Sequence, residues 1–453
     1  MQKRIYLLAG LAATAAMAAQ PKNNLEPDAG TWHTWIVTDV KAFRAPAPPN
    51  HAASLQEAGT LETLVPRRDA AVLASVQFWN SGSSSYRWIQ FAQQEVNRHG
   101  LGGPAATRAM SLVSAALNDA IIAAWDSKYT YNRPRPSHID KQLTTAIPVP
   151  NTPSYPSDYA AAAAVSKATL DYLFPDDKTA IDDMAARAAD SRMWAGVEFP
   201  TDIAAGVVLG KAIGDAAVAR AQGDGFSTAF TGSFPPTSGK WSSANPSFPL
   251  AGMWTPWALS SGSQLRLNPP PAFGSADFQT QVDAVKQFAR TVDTNHTAWF
   301  WQPSFIDPWI DLATRFLFES GYELDAPKVA QTYALAMIAQ HDATLACWDT
   351  KYTYLEMRPV MADSAITTLF PTPSHPSFPS GHACASGAAG EALSAVFPDQ
   401  AAYLGGRARE AGLSTFYAGV HYPNDVDQGI ALGQAVAKIV VSKAALEADN
   451  DEQ

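Results

Sequence analysis

The stretch WDTKYTYLEMRP, residues 348–359, has a near-copy in WDSKYTYNRPRP, residues 125–136. Lys351 and Lys128 stand 223 positions apart, as do Arg358 and Arg135, and Pro359 and Pro136. The same offset relates Pro379-Ser380 to Pro156-Ser157, Phe397-Pro398 to Phe174-Pro175, and Gly419-Val420 to Gly196-Val197. It also relates Asp425 to Asp202. An ungapped register held over such a distance marks an internal duplication.

Each copy reads as helices. Residues 104–128 and 327–351 place small and apolar side chains at helical spacing. Residues 157–173 and 380–396 are Ala-rich, open on Pro-Ser and close on Phe-Pro-Asp, where proline stops one helix and aspartate can cap the next. A third helix is expected over 177–189 and 400–412, and a fourth over 202–221 and 425–446. No stretch calls for a multi-stranded sheet. The fold expected is all-α, two duplicated four-helix bundles packed together with long Pro/Trp-rich covering loops. The chain then divides into a leader (1–18), an N-terminal covering segment (19–68), a first bundle (69–222), a connecting segment (223–294) and a second bundle (295–453).

Composition supports a globular chain. Of 453 residues, 47% are hydrophobic and 16% charged, with 33 prolines and 13 tryptophans. The net charge of −10, with no long basic run, argues against nucleic acid as a partner, which needs a clustered Lys/Arg footprint. Lys3 and Arg4, the apolar run 5–15 and Ala16-Met17-Ala18 have the form of a cleavable export signal. Its apolar part is short for a membrane span, and no later segment is long enough, so a secreted or periplasmic protein without a transmembrane segment is expected. The reading allows a homodimer.

Three short motifs of the second copy carry chemistry. Pro379-Ser380-Gly381-His382 opens a helix, where free N–H groups and the helix dipole favour an anion and glycine lets the backbone approach it closely. A plain serine cap with a surface histidine is the bland alternative. Lys351 and Arg358 combine a point charge with a planar fork, a pair suited to a phosphate-shaped ligand, though such charges can also be solvated helix-end residues. His421 and Asp425 are four apart around a proline-started helix, so the carboxylate can orient the imidazole; a simple capping role is the other option.

Comparison of the copies favours chemistry. The first retains Lys128, Arg135, Ser157 and Asp202, but Gly381 is matched by Asp158, His382 by Tyr159 and His421 by Glu198. Carboxylates at an anion site repel the ligand. The first copy therefore reads as structural and the second as the working one.

In this order, Lys-x6-Arg-Pro, Pro-Ser-Gly-His and His-x3-Asp resemble the superfamily that joins vanadium-dependent haloperoxidases with PAP2-type acid phosphatases. The duplicated layout is similar to bacterial haloperoxidase-like members more than to small single-bundle phosphatases. The resemblance implies that Lys351, Arg358, Ser380 and the Gly381 N–H bind the oxygens of vanadate or phosphate. His421 would bond vanadium or attack phosphorus, Asp425 would support His421, and His382 would serve as acid and base. The substrates implied are hydrogen peroxide and halide, or a phosphomonoester acting through a phosphohistidine; a degenerate phosphate-binding relative is a third reading. His375 stands where bromide-oxidising members often carry a histidine, while its counterpart is Thr152. The family's third motif usually places arginine after the serine equivalent to Ser414, and here Thr415 stands there. Loss of that charge-assisted bond weakens oxyanion affinity by about 1.5–3 kcal/mol. Arg192, in the first copy, keeps the arginine; Arg407 and Arg409 are spaced wrongly to replace it. Cys347 and Cys384, matched by Ala124 and Ala161, are candidates for a disulfide if Lys351 and His382 face one site.

Overall fold

Helix boundaries follow the capping chemistry in both copies. The structure is a computed structural model and describes residues 25–445; the leader over 1–18 lies outside them. In the first repeat α1 is Gly103–Tyr131, α2 Asp158–Leu173, α3 Lys178–Ala195 and α4 Pro200–Gln222. In the second, α5 is Ala326–Tyr354, α6 Gly381–Val396, α7 Ala401–Tyr417 and α8 Pro423–Ala445. Ser157 Oγ accepts the N–H of Ala160 at 3.0 Å, and Ser380 Oγ that of Ala383 at 3.4 Å, so the Pro-Ser pairs are N-caps as expected. Asp325 caps α5 through the N–H of Lys328 at 3.1 Å, with Pro327 in the first turn. Both long helices end on a left-handed residue, Asn132 (φ 47°) and Leu355 (φ 54°). Asparagine adopts that conformation readily and leucine does not.

The two 29-residue helices α1 and α5 pack against each other and are buried almost end to end, joining the repeats in one apolar core. Among the described residues, the β-structure is an isolated bridge between Phe234 and Ser243. The fold is all-α and duplicated.

The repeat is larger than four helices. Helices His51–Glu62, Ala70–Trp79 and Tyr86–Arg98 precede α1, and Ala276–Gln287, Val292–Trp301 and Asp307–Glu319 precede α5 in the same order. Further upstream, AGTWHTWIV (29–37) corresponds to AGMWTPWAL (251–259). Buried Asp119 accepts the N–H groups of Trp35, Ile36 and Val37, and buried Asp342 those of Trp257, Ala258 and Leu259. Arg44–Asp126 and Arg266–Asp349, both 2.7 Å, repeat a second tether. The segments expected as coverings and connector are thus the leading part of each repeat. Each is strapped to its long helix because a buried carboxylate requires donors, and three consecutive backbone N–H groups supply them.

Glycines bring the site together. A Cβ on Gly433 of α8 would lie 2.1 Å from the carbonyl oxygen of Cys384 in α6, and one on Gly429 would lie 2.8 Å from Ala383 Cβ. Gly210 and Gly206 make the same crossing of α4 on α2, at 2.2 Å from Ala161 O and 2.3 Å from Ser157 O. Backbone-to-backbone approach at α6 and α8 sets the start of α6 directly against the start of α8.

Candidate active site

Lys351 comes from the last turn of α5, Arg358 from the turn after it, Ser380 to His382 from the start of α6, Thr415 from the end of α7, and His421 and Asp425 from the start of α8. Lys351, Arg358, Ser380, His421 and Asp425 are all buried.

His421 Nδ1 lies 2.9 Å from Asp425 Oδ2 and its Nε2 lies 3.0 Å from Arg358 Nη1. A guanidinium only donates, so Nε2 is the acceptor and the proton sits on Nδ1. That tautomer points a lone pair at the site. Asp425 Oδ2 also accepts Ser377 Oγ–H at 2.6 Å and the Tyr422 N–H at 3.1 Å, which fixes the carboxylate that fixes the ring.

The cations are more committed than the motif implies. Lys351 Nζ donates to the carbonyls of Pro376 (2.9 Å), Ser377 (2.8 Å) and Pro379, which takes all three of its protons. Arg358 donates to His375 O at 2.9 Å, Val420 O at 2.7 Å and His375 Nδ1 at 3.0 Å, besides His421. The first repeat shows what these groups do beside an anion. Lys128 keeps the two loop carbonyls, Pro153 O and Ser154 O, but meets the Asp158 carboxylate at 3.2 Å in place of a third carbonyl. Arg135 keeps Val197 O and binds Glu198, which replaces His421, at 3.0 Å. Asp158 and Glu198 are internal stand-ins for an oxyanion. The second repeat, with Gly381 and His421 at those positions, presents the same cradle without the tethered carboxylates.

Further donors lie at the start of α6. Ser380 N–H goes to Asp425 O and Ala383 N–H to Ser380 Oγ, leaving the Gly381 and His382 N–H groups as the first-turn donors available to a ligand. Ser380 and Thr415 hydroxyls are 3.1 Å apart; Thr415 donates to Gly412 O at 2.7 Å, so Ser380 is the donor between them. His382 Nε2 donates to Trp301 O at 3.0 Å, which leaves Nδ1 as its basic atom. The His375 ring packs on Trp348 at 4.9 Å and the His382 ring meets Phe305 edge-on at 5.1 Å.

Burial, with Arg358 and Lys351 adding to it, holds His421 and His375 well below the ordinary imidazole value. Burial brings His382 down to about 4, Lys351 to about 8 and Arg358 to about 10. All three imidazoles are neutral near pH 7, as a ligating or nucleophilic nitrogen must be.

Sequence reasoning missed Glu356. It is buried and hydrogen-bonded to Asp425, and burial followed by the Asp425 charge pushes its carboxyl well above the usual range. Glu356 is therefore the proton donor in that pair. Its counterpart, Arg133, forms an ion pair with Asp202 at 2.6 Å. A charge reversal between two matched motifs, Lys-Tyr-Thr-Tyr and Arg-Pro, was the available signal. One other expectation changes. Cys347 and Cys384 are buried neighbours but free thiols, hydrogen-bonded to each other, and no disulfide joins them. Cys347 Sγ is also 3.7 Å from Pro379 O, so its proton has an acceptor in the same core. Arg407 pairs with Glu410 at 2.7 Å and Arg409 with Asp427, so neither replaces the missing arginine. Arg192, which has the expected residue type, instead covers the Tyr159 ring at 4.0 Å in the first repeat.

Above the cradle lies a cavity of about 500 Å³ whose floor is formed by His375, Gly381, His382, Thr415 and His421.

Residues 108–223 and 329–446 each match the family model of the PAP2 superfamily, one match per repeat. No curated protein matches the chain. Among solved structures, a bacterial vanadium-dependent iodoperoxidase superposes with a TM-score of 0.62 at 22% identity, over 79% of this chain and 95% of that one. A bacterial vanadium-dependent chloroperoxidase in its holo form superposes with a TM-score of 0.57 at 13% identity, over 77% and 94%. A bacterial vanadium-dependent chloroperoxidase in its apo form superposes with a TM-score of 0.59 at 14% identity, over 78% and 96%.

Proposed function

The chain belongs to the PAP2 superfamily, and from that premise we propose that it is an exported, vanadium-dependent haloperoxidase. The observation that carries the reading is His421: Asp425 holds its Nδ1 proton, its Nε2 lone pair faces the cradle, and two more neutral imidazoles, His375 and His382, stand on the same cavity floor. Similarity to three haloperoxidase structures over most of the described chain, both repeats included, supports this reading over a single-bundle phosphatase.

The residues fit vanadate. His421 Nε2, released from the Arg358 N–H, is the nitrogen that would ligate it, while Arg358, Ser380 Oγ–H turned away from Thr415, and the Gly381 and His382 N–H groups would hold its oxygens. The third Lys351 proton, whose counterpart turns to Asp158 in the first repeat, would join them. Vanadate bound there supplies a Lewis acid that activates hydrogen peroxide toward halide. His382 Nδ1 accepts the proton of incoming peroxide and returns it to the leaving oxygen. Asp425 and Ser377 keep the His421 ring from rotating. Arg358, buried in a low-dielectric site, balances the negative charge that builds up. The leader-like residues 1–18 support export.

A second reading, an acid phosphatase in which His421 Nε2 attacks phosphorus, is favoured by Thr415. With one guanidinium fewer, the cradle suits an anion that arrives and leaves better than one that stays. Peroxide-dependent iodide and bromide oxidation by purified protein, before and after vanadate addition, tests the proposal. Activity appearing with vanadate is the expected result. Phosphate release from p-nitrophenyl phosphate, blocked by vanadate and without halide oxidation, would replace the first reading with the second.

A further inference from the structure

Where the helix Tyr86–Arg98 ends against the turn that follows α2, three metal-ligating side chains converge. Glu95 and His99 are four apart, so the helix end presents both on one face. Asp177 reaches them from the short turn Pro175–Asp177. Glu95 Oε2, His99 Nε2 and Asp177 Oδ2 all lie within 4.8 Å of one another. His99 Nε2 is 2.5 Å from Asp177 Oδ2 and 3.8 Å from Glu95 Oε2. Ligand atoms bonded to zinc at about 2.0–2.2 Å stand about 3–3.5 Å apart, and these two separations bracket that spacing. Glu95 is only 7% exposed, and the His99 ring stacks on Phe174 at 4.8 Å, which holds its Nε2 on the carboxylates.

A cation already marks the centre. Arg98 Nη2 contacts both carboxylates and lies 3.1 Å from His99 Nε2. Between Arg98 and Asp177, that imidazole nitrogen would have to accept one hydrogen bond and donate another, which neither neutral tautomer allows. A metal ion takes the nitrogen lone pair and both carboxylates together, and the half-exposed Arg98 side chain is free to turn to solvent. The second repeat shows that the fold does not need these polar groups. Trp88-Ile89 and Gly100 match Trp309-Ile310 and Gly321 at an offset of 221, which pairs Glu95 with Phe316, Arg98 with Glu319 and His99 with Ser320. Asp177 is matched by Gln400 at the offset of 223. There Phe316 and Phe397 close the same junction ring on ring, at 5.7 Å.

We propose that Glu95, His99 and Asp177 bind a divalent transition-metal ion in exchange for Arg98. Zinc is the best match to one imidazole and two carboxylates, with water completing the coordination. Magnesium, which prefers oxygen ligands in an octahedron, is not. The ion ties the end of the helix to the first repeat next to Val96, Gly100 and Leu101, which line the cavity above the cradle. It therefore fixes the rim of the site from outside the cradle.

Calorimetric titration of the full chain with zinc chloride, and with magnesium chloride, in phosphate-free buffer near neutral pH tests this. Saturable zinc binding without magnesium binding is expected. His99→Ser and Asp177→Gln, the polar residue changes nearest to what the second repeat carries, should each remove one zinc equivalent; His382→Ala, at the cradle, should leave that equivalent in place. Arg98→Ala should tighten zinc by roughly tenfold or more, because charge-assisted bonds to the displaced guanidinium no longer oppose the ion. Zinc should raise the unfolding temperature of the unaltered chain and of Arg98→Ala, but not of His99→Ser. A zinc stoichiometry unchanged by His99→Ser, no zinc binding by the unaltered chain, or weaker binding by Arg98→Ala overturns the proposal and leaves an ion-pair network at the helix end.

Discussion

Asp158 Oδ1 stands 3.2 Å from Lys128 Nζ, at the position that the second repeat gives to Gly381. The first repeat therefore contains its own fold-tested anion, and moving it across should disable the second. Gly381→Asp is expected to abolish phosphate and vanadate binding, while aspartate in a first helical turn preserves the helix. The new Cβ would lie 3.2 Å from the Trp348 ring, a shift the first repeat accommodates beside Trp125. Calorimetry should show no binding heat and thermal unfolding a change of only a few degrees; retained phosphate binding would show that Gly381 is not at the anion.

Glu356 donates a proton to Asp425 where the first repeat has an arginine. Glu356→Gln keeps a donor and should hold turnover within about threefold, since the hydrogen bond is preserved. Glu356→Ala leaves a buried carboxylate oxygen unpaired and should lower stability by about 1–3 kcal/mol. Glu356→Arg recreates the Arg133–Asp202 pairing, draws the Asp425 charge away from His421 and should lower kcat more than it raises KM. A kcat unchanged by arginine would assign Glu356 to packing alone.

Thr415→Arg restores a guanidinium at the end of α7, beside Ser380. A charge-assisted hydrogen bond contributes about 1.5–3 kcal/mol, which corresponds to roughly ten- to hundredfold tighter vanadate. Titration calorimetry showing no gain would place the side chain elsewhere.

His382 predicts a pH dependence of stability. Burial holds its folded-state value down to about 4, below the ordinary value near 6.5. Below the ordinary value the unfolded chain takes up a proton that the folded one refuses, so this contribution is full above it and is lost as pH falls toward the folded value. Between pH 6.5 and 5 the ligand-free protein should lose about 1 kcal/mol through this ring, solvent on its cavity side reducing the full linkage. His382→Asn should show a shallower decline of unfolding temperature over that range; an unchanged slope would mean the imidazole titrates normally.

Gly433→Ala should cost about 1–3 kcal/mol of stability, because its Cβ would meet Cys384 O at 2.1 Å and force α8 away from α6. Oxyanion affinity should fall in the same variant, since that crossing sets His421 against Ser380.

What the sequence disclosed, and what it hid, follows from where information is stored. The eight long helices were legible because Pro-Ser caps, Phe-Pro stops and the constant offset of 223 are local and repeated. The three leading helices of each repeat were not, because their spacing drifts from that constant offset. AGTWHTW and AGMWTPW were the surviving trace, overlooked because the partner they serve is a single buried aspartate far along the chain. Around the cradle, histidines and cations were legible by type and spacing. The engagement of Lys351 was not, since its acceptors are backbone carbonyls, which every residue possesses. The thiols of Cys347 and Cys384 were rightly placed as neighbours, but proximity alone did not join them.

Leu101 and Pro104 belong to the repeat that has Thr152, Tyr159 and Glu198 in place of the three histidines, yet they line the cavity over the histidines of the other. The repeat without those histidines thus acts as containment. A molecule on the floor meets protein before it meets solvent, and substitutions in the first repeat reshape this wall although that repeat carries no counterpart of the floor's histidines. A chain trimmed to the second repeat would retain every polar group of the cradle and open it to bulk water.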